Sequence, residues 1–303
     1  MSESIKNRKK ILIINSWLHD KNKQGLNKVL QYLHGEQRIE YNFGSIADIP
    51  NYDTVYSPSQ AINSSLYPNQ KFIFGPHFST FPDHKQLETL QNNKFNNSIY
   101  VQPSEWVVQL WKNMGAEQYL SIKSLPFSVD TNKFAPTNKD ETENTEKTEV
   151  FVYHKDRHPR ELEILKSFLN YKKITYKLFD YAKKYNEIDY LQCLKNAKYG
   201  IWLGRHESQG FALEEALSMN VPLLVWETKF MSQEYGYNYN DIPCSTIPYW
   251  DKRCGEFFYN YKELEETFNA FQTKLVAQEY SPRQYILDNL SSEKCAERLM
   301  ELI

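Results

Sequence analysis

Two carboxylates, Glu207 and Glu215, stand with seven residues between them in the segment Leu203 to Glu227, LGRHESQGFALEEALSMNVPLLVWE. The pattern predicts a strand, a short polar loop containing Gly210, a helix and another buried strand. In a parallel sheet that order brings a helix N-terminus to the carboxyl edge. Such a helix start offers unpaired backbone N–H groups and the positive end of the helix dipole, and both favour a phosphate or diphosphate. Gly210 lets that backbone approach a ligand closely. Glu207 falls in the loop and Glu215 about one turn into the helix, so both can face the same cleft. A carboxylate there accepts hydrogen bonds from vicinal hydroxyls, as on a ribose or a sugar ring. The plain alternative is that Glu214 and Glu215 are solvated helix-face residues and Glu207 a loop charge.

The elements that must position these groups recur along the whole chain. In the first half, short apolar runs read as buried strands: Ile11 to Asn15, Arg38 to Phe43, Thr54 to Tyr56, Lys71 to Phe74 and Ser98 to Val101. Helical patterns such as Leu26 to Leu33 and Glu105 to Met114 lie between them. The polar stretch TNKDETENTEKTE, 137–149, has no large apolar residue and reads as a linker or loop. Alternation then resumes with strand patterns at Val150 to Tyr153, Tyr176 to Phe179, Tyr199 to Leu203 and Pro222 to Trp226. Helical patterns at Pro159 to Leu169, Ile188 to Ala197 and Ala212 to Ser218 separate them. The fold class is therefore α/β with two parallel sheets, one per domain, over residues 1–136 and 150–280. Residues 281–303 are helical in pattern, with Pro282 at a first helical position and caps available at Ser281 and Ser291 or Ser292. From pattern alone this tail either extends the second domain or packs back on the first.

Composition narrows the function. With 303 residues the chain is long enough for two domains, each with its own core. A formal charge of −2 gives no global attraction to nucleic acid or anionic lipid, so neither is expected as a partner beyond peripheral membrane contact through the cluster Lys6 to Lys10. Cys193, Cys244, Cys254 and Cys295 are widely spaced and read as reduced thiols rather than zinc ligands. No apolar run is long enough to span a bilayer, and the start of the chain leads into a strand, so a cytoplasmic location is expected. Asp-x-Asp, a common way of holding a cation on a diphosphate, occurs nowhere, and no bound metal or cofactor is expected.

The string ESQGFALEEA with Asn220-Val221-Pro222 resembles the Glu-x7-Glu signature of retaining glycosyltransferases of the GT-B fold, above all glycosyltransferase family 4. That signature reads E-S-x-G-x-x-x-x-E-A before a small-residue turn and Pro-Val; Glu207, Ser208, Gly210, Glu215, Ala216 and Pro222 are in register. Asn220 stands where the family usually has Gly, and Asn also tolerates a left-handed turn. LPFSVDTNKFAP, Leu125 to Pro136, is similar to the family's interdomain segment, with Ser128 in place of its Gly. The resemblance covers the second half well and the first half in outline.

What it implies is two Rossmann-like domains facing a cleft and a final helix that crosses back to the first domain. It implies transfer of a sugar from a nucleotide-diphosphate sugar to a carbohydrate, glycan or glycolipid acceptor, with retention. Glu215 would bind the donor ribose and Glu207 would lie near the transferred sugar, with Ser208, Gly210, Phe211 and Ala212 around the donor. A basic pair would neutralise the diphosphate. Lys155, Arg157 and Arg160 in HKDRHPRE are its candidates, Lys155 first because it follows a strand at the carboxyl edge. His77 in FIFGPHFS would be the histidine near the reacting carbon, or else a structural one, and Gly25 would belong to a loop over the phosphates. Another enzyme on this architecture, such as a nucleotide-sugar epimerase, or a catalytically silent nucleotide-sugar-binding subunit are the competing readings.

Overall fold

The computed structural model describes residues 8–136 and 147–303. Most of the polar segment at 137–149 and part of the cluster Lys6 to Lys10 therefore lie outside the described residues. The chain divides into two compact units, residues 1–128 with 290–303, and residues 129–289.

The first unit holds a six-stranded sheet of order β2-β1-β3-β4-β5-β6, parallel throughout. Its strands are β1 (Lys9–Ile14), β2 (Ile39–Gly44), β3 (Thr54–Ser57), β4 (Lys71–Phe74), β5 (Ser98–Gln102) and β6 (Ser121–Ser124). Parallel strands covered on both faces read as apolar runs, which is why Ile11 to Ile14 and Phe72 to Phe74 are buried without alternation. Helices α1 (Asp20–Gly35), α2 (His84–Asn92) and α3 (Glu105–Asn113) supply the cover. In α1, Leu26, Val29, Leu30 and Leu33 form one buried face.

The second unit holds a five-stranded parallel sheet of order β11-β10-β9-β7-β8. The elements in chain order are β7 (Glu149–Lys155), α4 (Pro159–Tyr171), β8 (Lys177–Asp180), α5 (Glu187–Asn196), β9 (Ala197–Gly204), α6 (Phe211–Ser218), β10 (Leu223–Trp226), β11 (Gly255–Phe258), α7 (Leu264–Val276) and α8 (Pro282–Asn289). Pro159 opens α4 at a position where a missing N–H costs nothing. The core runs through Val152, Leu165, Ile201, Leu203, Leu224 and Phe271.

The final helix α9 (Ser292–Leu302) belongs to the first unit, where it packs against α1. The Ser291 side chain caps it by accepting from the Lys294 N–H. Arg283, on α8, donates to the carbonyls of Thr131, Phe134 and Ser218. That fastens the start of the second unit's chain to its last helix. Four elements, β6, α2, β11 and α7, have no counterpart among the sequence patterns. Among the described residues no helix is long and apolar enough to cross a membrane.

Candidate functional site

β7 and β9 run side by side and end together, with Lys155 opposite Gly204. The chain leaving β9 stays close, since the Arg205 N–H donates to the Lys155 carbonyl at 2.9 Å. Two residues on, Glu207 is fixed from the other side when its N–H donates to the Ser245 carbonyl at 2.9 Å. The loop reaches Gly210 in the left-handed region at φ 96°, where a side chain would be strained, and α6 starts there with no side chain capping it. The N–H groups of its first turn thus keep their capacity for an anion.

Lys155 Nζ donates to Glu207 Oε1 at 2.7 Å, and the two side chains are only 10% and 14% exposed. The same ammonium lies 4.4 Å from the centre of the Tyr181 ring. Burial acts to raise the Glu207 carboxyl, but Lys155 and Arg205 outweigh it and hold the group below the ordinary glutamate range. Glu207 is therefore an anion at neutral pH, in a partly dry setting where charge acts strongly.

Neither Glu214 nor Glu215 is a solvated helix-face residue; both are buried. Gln209 Nε2 donates to Glu214 Oε2 at 3.0 Å, while Oε1 has no hydrogen-bond partner. Burial pushes the Glu214 carboxyl well up, which favours its neutral form. Glu215, 6% exposed, is the following residue of the same helix. Tyr190 Oη donates to the Ala212 carbonyl at 2.8 Å and steadies the first turn beside Phe211. Ser208 is half-buried in the loop.

Arg157, offered by the sequence as a cation for the diphosphate, has a different set of partners. Its side chain is fully buried. Nε and Nη2 donate to the Glu161 carboxylate, and Nη1 donates to the carbonyls of Gly204 and Trp226. A guanidinium so occupied joins the ends of β9 and β10 to α4 and is a structural cation. Arg160 is exposed on the first turn of α4.

Gly25 requires a correction. It lies inside α1, five residues past the helix start, and not in a loop before it. A Cβ there would meet Phe127 Cβ and Ser128 O at 2.8 Å, so glycine is needed for close packing against the 127–128 segment. Ser128 Oγ donates to the Gly25 carbonyl at 3.0 Å across that contact. The helix starts early because the His19 side chain accepts from the Lys21 N–H, a cap outside the usual Ser, Thr, Asp and Asn.

His77 follows β4 and is buried under Phe78, with ring centres 4.2 Å apart. Its Nε2 is 3.5 Å from Asp83 Oδ2, and neither ring nitrogen has a hydrogen-bond partner of full geometry. Burial lowers its pKa, with Asp83 and the Ser59 backbone acting the other way.

Sequence reasoning missed Arg205 and Glu227. Arg205 lies between Asp156 and Glu234, its Nε 3.4 and 3.3 Å from their carboxylates. Its place between the end of β9 and Glu207 was a readable signal. Glu227 accepts from the N–H groups of Thr228 and Thr246 at 2.8 and 2.7 Å, which holds the 245–246 turn against Glu207. That contact comes from an irregular segment with no periodicity to read. All four cysteines are free thiols. Among the described residues no group of three or more His, Cys, Asp or Glu is placed to hold a metal ion.

No protein-family profile matches the chain, and no curated protein matches it in sequence. Solved structures do match. A glycosyltransferase from Rickettsia africae ESF-5 superposes with a TM-score of 0.57 at 14% identity, over 98% of each chain. Sucrose-phosphate synthase from Thermosynechococcus elongatus gives 0.57 at 8% identity, over 97% of this chain and 98% of that one. The chain has the GT-B fold of these glycosyltransferases. An alpha-glucosyltransferase in complex with UDP and a 13-mer DNA containing a HMU base gives 0.56 at 9% identity, over 98% of this chain and 99% of that one. Identities this low carry the GT-B architecture and no residue-level role.

Proposed function

We propose that the protein transfers a sugar from a nucleotide-diphosphate sugar to an acceptor hydroxyl, with retention and without a metal. One observation carries the reading: at the carboxyl edge of the second sheet, a buried Lys155–Glu207 pair adjoins a helix start that no side chain caps, with Glu215 in that helix. In a GT-B fold this supplies what a departing nucleoside diphosphate needs. The diphosphate gains charge as the bond to the sugar breaks, and fixed N–H dipoles and an ammonium stabilise that charge more in the transition state than in the bound donor. Lys155 is the cation assigned to it. Glu207, kept ionised by the same lysine, faces the sugar, and Glu215 accepts from the ribose hydroxyls. Ser208, Gly210, Phe211 and Ala212 line the donor, and His77 is assigned to the acceptor side.

The low net charge gave an expectation of no nucleic-acid partner, and the fold does not support that exclusion, since one solved neighbour holds DNA. DNA therefore belongs beside carbohydrates, glycans and glycolipids in an acceptor panel. The test incubates the protein with radiolabelled nucleotide sugars and that panel in excess EDTA, and then determines the anomeric configuration of any product by NMR. The expected result is a new glycoside of retained configuration. Activity lost in EDTA and restored by manganese removes the metal-free part. A donor that binds but is neither hydrolysed nor transferred makes the protein a silent binding subunit.

A further inference from the structure

The cation assigned to the diphosphate has a neighbour that core packing does not explain. β7 and β8 are parallel and pair up to His154 opposite Asp180, so the register carries Lys155 and Tyr181 side by side to the carboxyl edge. Tyr181 begins a single helical turn, Tyr181–Lys183, which the Asp180 side chain caps by accepting from the Ala182 N–H at 3.2 Å. The Lys184 N–H closes the turn by donating to the Tyr181 carbonyl at 3.1 Å. The ring therefore projects from fixed backbone.

Tyr181 is 47% exposed, and among the described residues it meets no other aromatic ring. Tyr185, four residues on, differs: it packs edge-on against Tyr153 and Phe179. A half-exposed ring without ring neighbours adds little to a core. What it does cover is the Lys155 ammonium, 4.4 Å from the ring centre, in a side chain only 10% exposed.

Lysine is ordinarily a flexible point charge with rotating donors. Here one N–H is given to Glu207 Oε1 and the negative face of a ring lies against the same ammonium, so the group is restrained from two directions. The donors left over are held in one orientation. The ring also keeps water off the charge, which strengthens its action on an anion.

We propose that Tyr181 is a positioning residue that aims the Lys155 ammonium through its ring face. Its bearing on catalysis rests on the transferase reading above; the ring–ammonium contact itself does not.

The test compares Tyr181→Phe, which keeps the ring, with Tyr181→Leu, which stays apolar and loses it. Full-length protein isotope-labelled at the lysine ε-carbon reports the contact by NMR, because protons over a ring face resonate upfield. Lys155→Ala identifies the signal. The Lys155 ε-proton signal is expected upfield in the wild type and in Tyr181→Phe, and at the position of exposed lysines in Tyr181→Leu. Turnover should fall about tenfold in Tyr181→Leu, the equivalent of roughly 1.4 kcal/mol, with donor KM changed less than about twofold. Tyr181→Phe should stay within about twofold of the wild type in both. In the Lys155→Ala background Tyr181→Leu should cost nothing further, since the ring acts through the lysine. A Lys155 signal indifferent to Tyr181→Leu overturns the proposal. So do equal losses of turnover in the Phe and Leu variants, or the same loss when Lys155 is absent. A wild type that turns over no nucleotide sugar contradicts the transferase reading, and the resonance alone then decides: an upfield signal kept in Tyr181→Phe and lost in Tyr181→Leu supports the positioning contact.

Discussion

The end of β7 and the start of α4 carry two cation–carboxylate pairs that look alike in sequence and differ in what they leave over. Lys155 gives one of its three N–H donors to Glu207 and lies on the Tyr181 ring, at a helix start with no side-chain cap. Arg157, two residues on, spends its guanidinium on Glu161 and on the ends of two strands. The first arrangement keeps charge ready for a ligand, and the second consumes it in the fold. Spacing within HKDRHPRE does not separate these cases; counting the remaining donors does.

The largest effect expected from this contrast is structural. Arg157→Ala leaves the carbonyls of Gly204 and Trp226 and the Glu161 carboxylate without their partner, and should cost about 3 to 5 kcal/mol of stability in denaturant titrations. A loss near zero would show that the arginine is free for ligand after all. Lys155→Ala should instead reduce turnover roughly 100- to 1000-fold, about 3 to 4 kcal/mol of transition-state stabilisation, while donor affinity falls less. A fall in donor affinity with turnover unchanged would place the lysine in ground-state binding alone.

Glu214 sharpens the contrast from within α6, because it is a carboxyl that no cation holds. The folded chain keeps the proton that the unfolded chain releases, so stability falls as pH rises from the ordinary glutamate range toward the raised folded value. The slope reaches up to about 1.4 kcal/mol per pH unit. Glu214→Gln should match the wild type near pH 3 and exceed it at pH 7, since an amide has no proton to lose. Parallel pH profiles for the two proteins would show that Glu214 ionises freely. The smallest effect belongs to Arg160→Ala: an exposed arginine on the first turn of α4 should change turnover by less than about twofold. A large loss there would transfer the diphosphate role from Lys155.

Much of the architecture was legible because buried parallel strands announce themselves as apolar runs, as Ile11 to Ile14 and Leu223 to Trp226 do. β6 and β11 were not, because SIKS and GEFF are short edge strands whose pairing is decided by neighbours rather than by their own pattern. α1 was read too short because Lys21, Lys23 and Gln24 carry no apolar period, and its cap is a histidine. Hence Gly25 looked like a loop residue. Around the candidate site, the loop-and-helix arrangement of Glu207, Gly210 and Glu215 could be read from spacing. The pairing of Lys155 with Glu207 could not, since 52 residues separate them and only the adjacency of β7 and β9 brings them together.

The claim that the second unit holds a nucleotide through Glu215 is tested most directly by calorimetry of UDP, GDP and ADP with the wild type and with a folded Glu215→Gln variant. The account predicts that at least one nucleotide binds the wild type. It also predicts that the variant binds that nucleotide about 10- to 100-fold more weakly, a loss of about 1.5 to 3 kcal/mol from charge-assisted hydrogen bonds to the ribose. Equal affinities, or a wild type that binds none of the three, would contradict it.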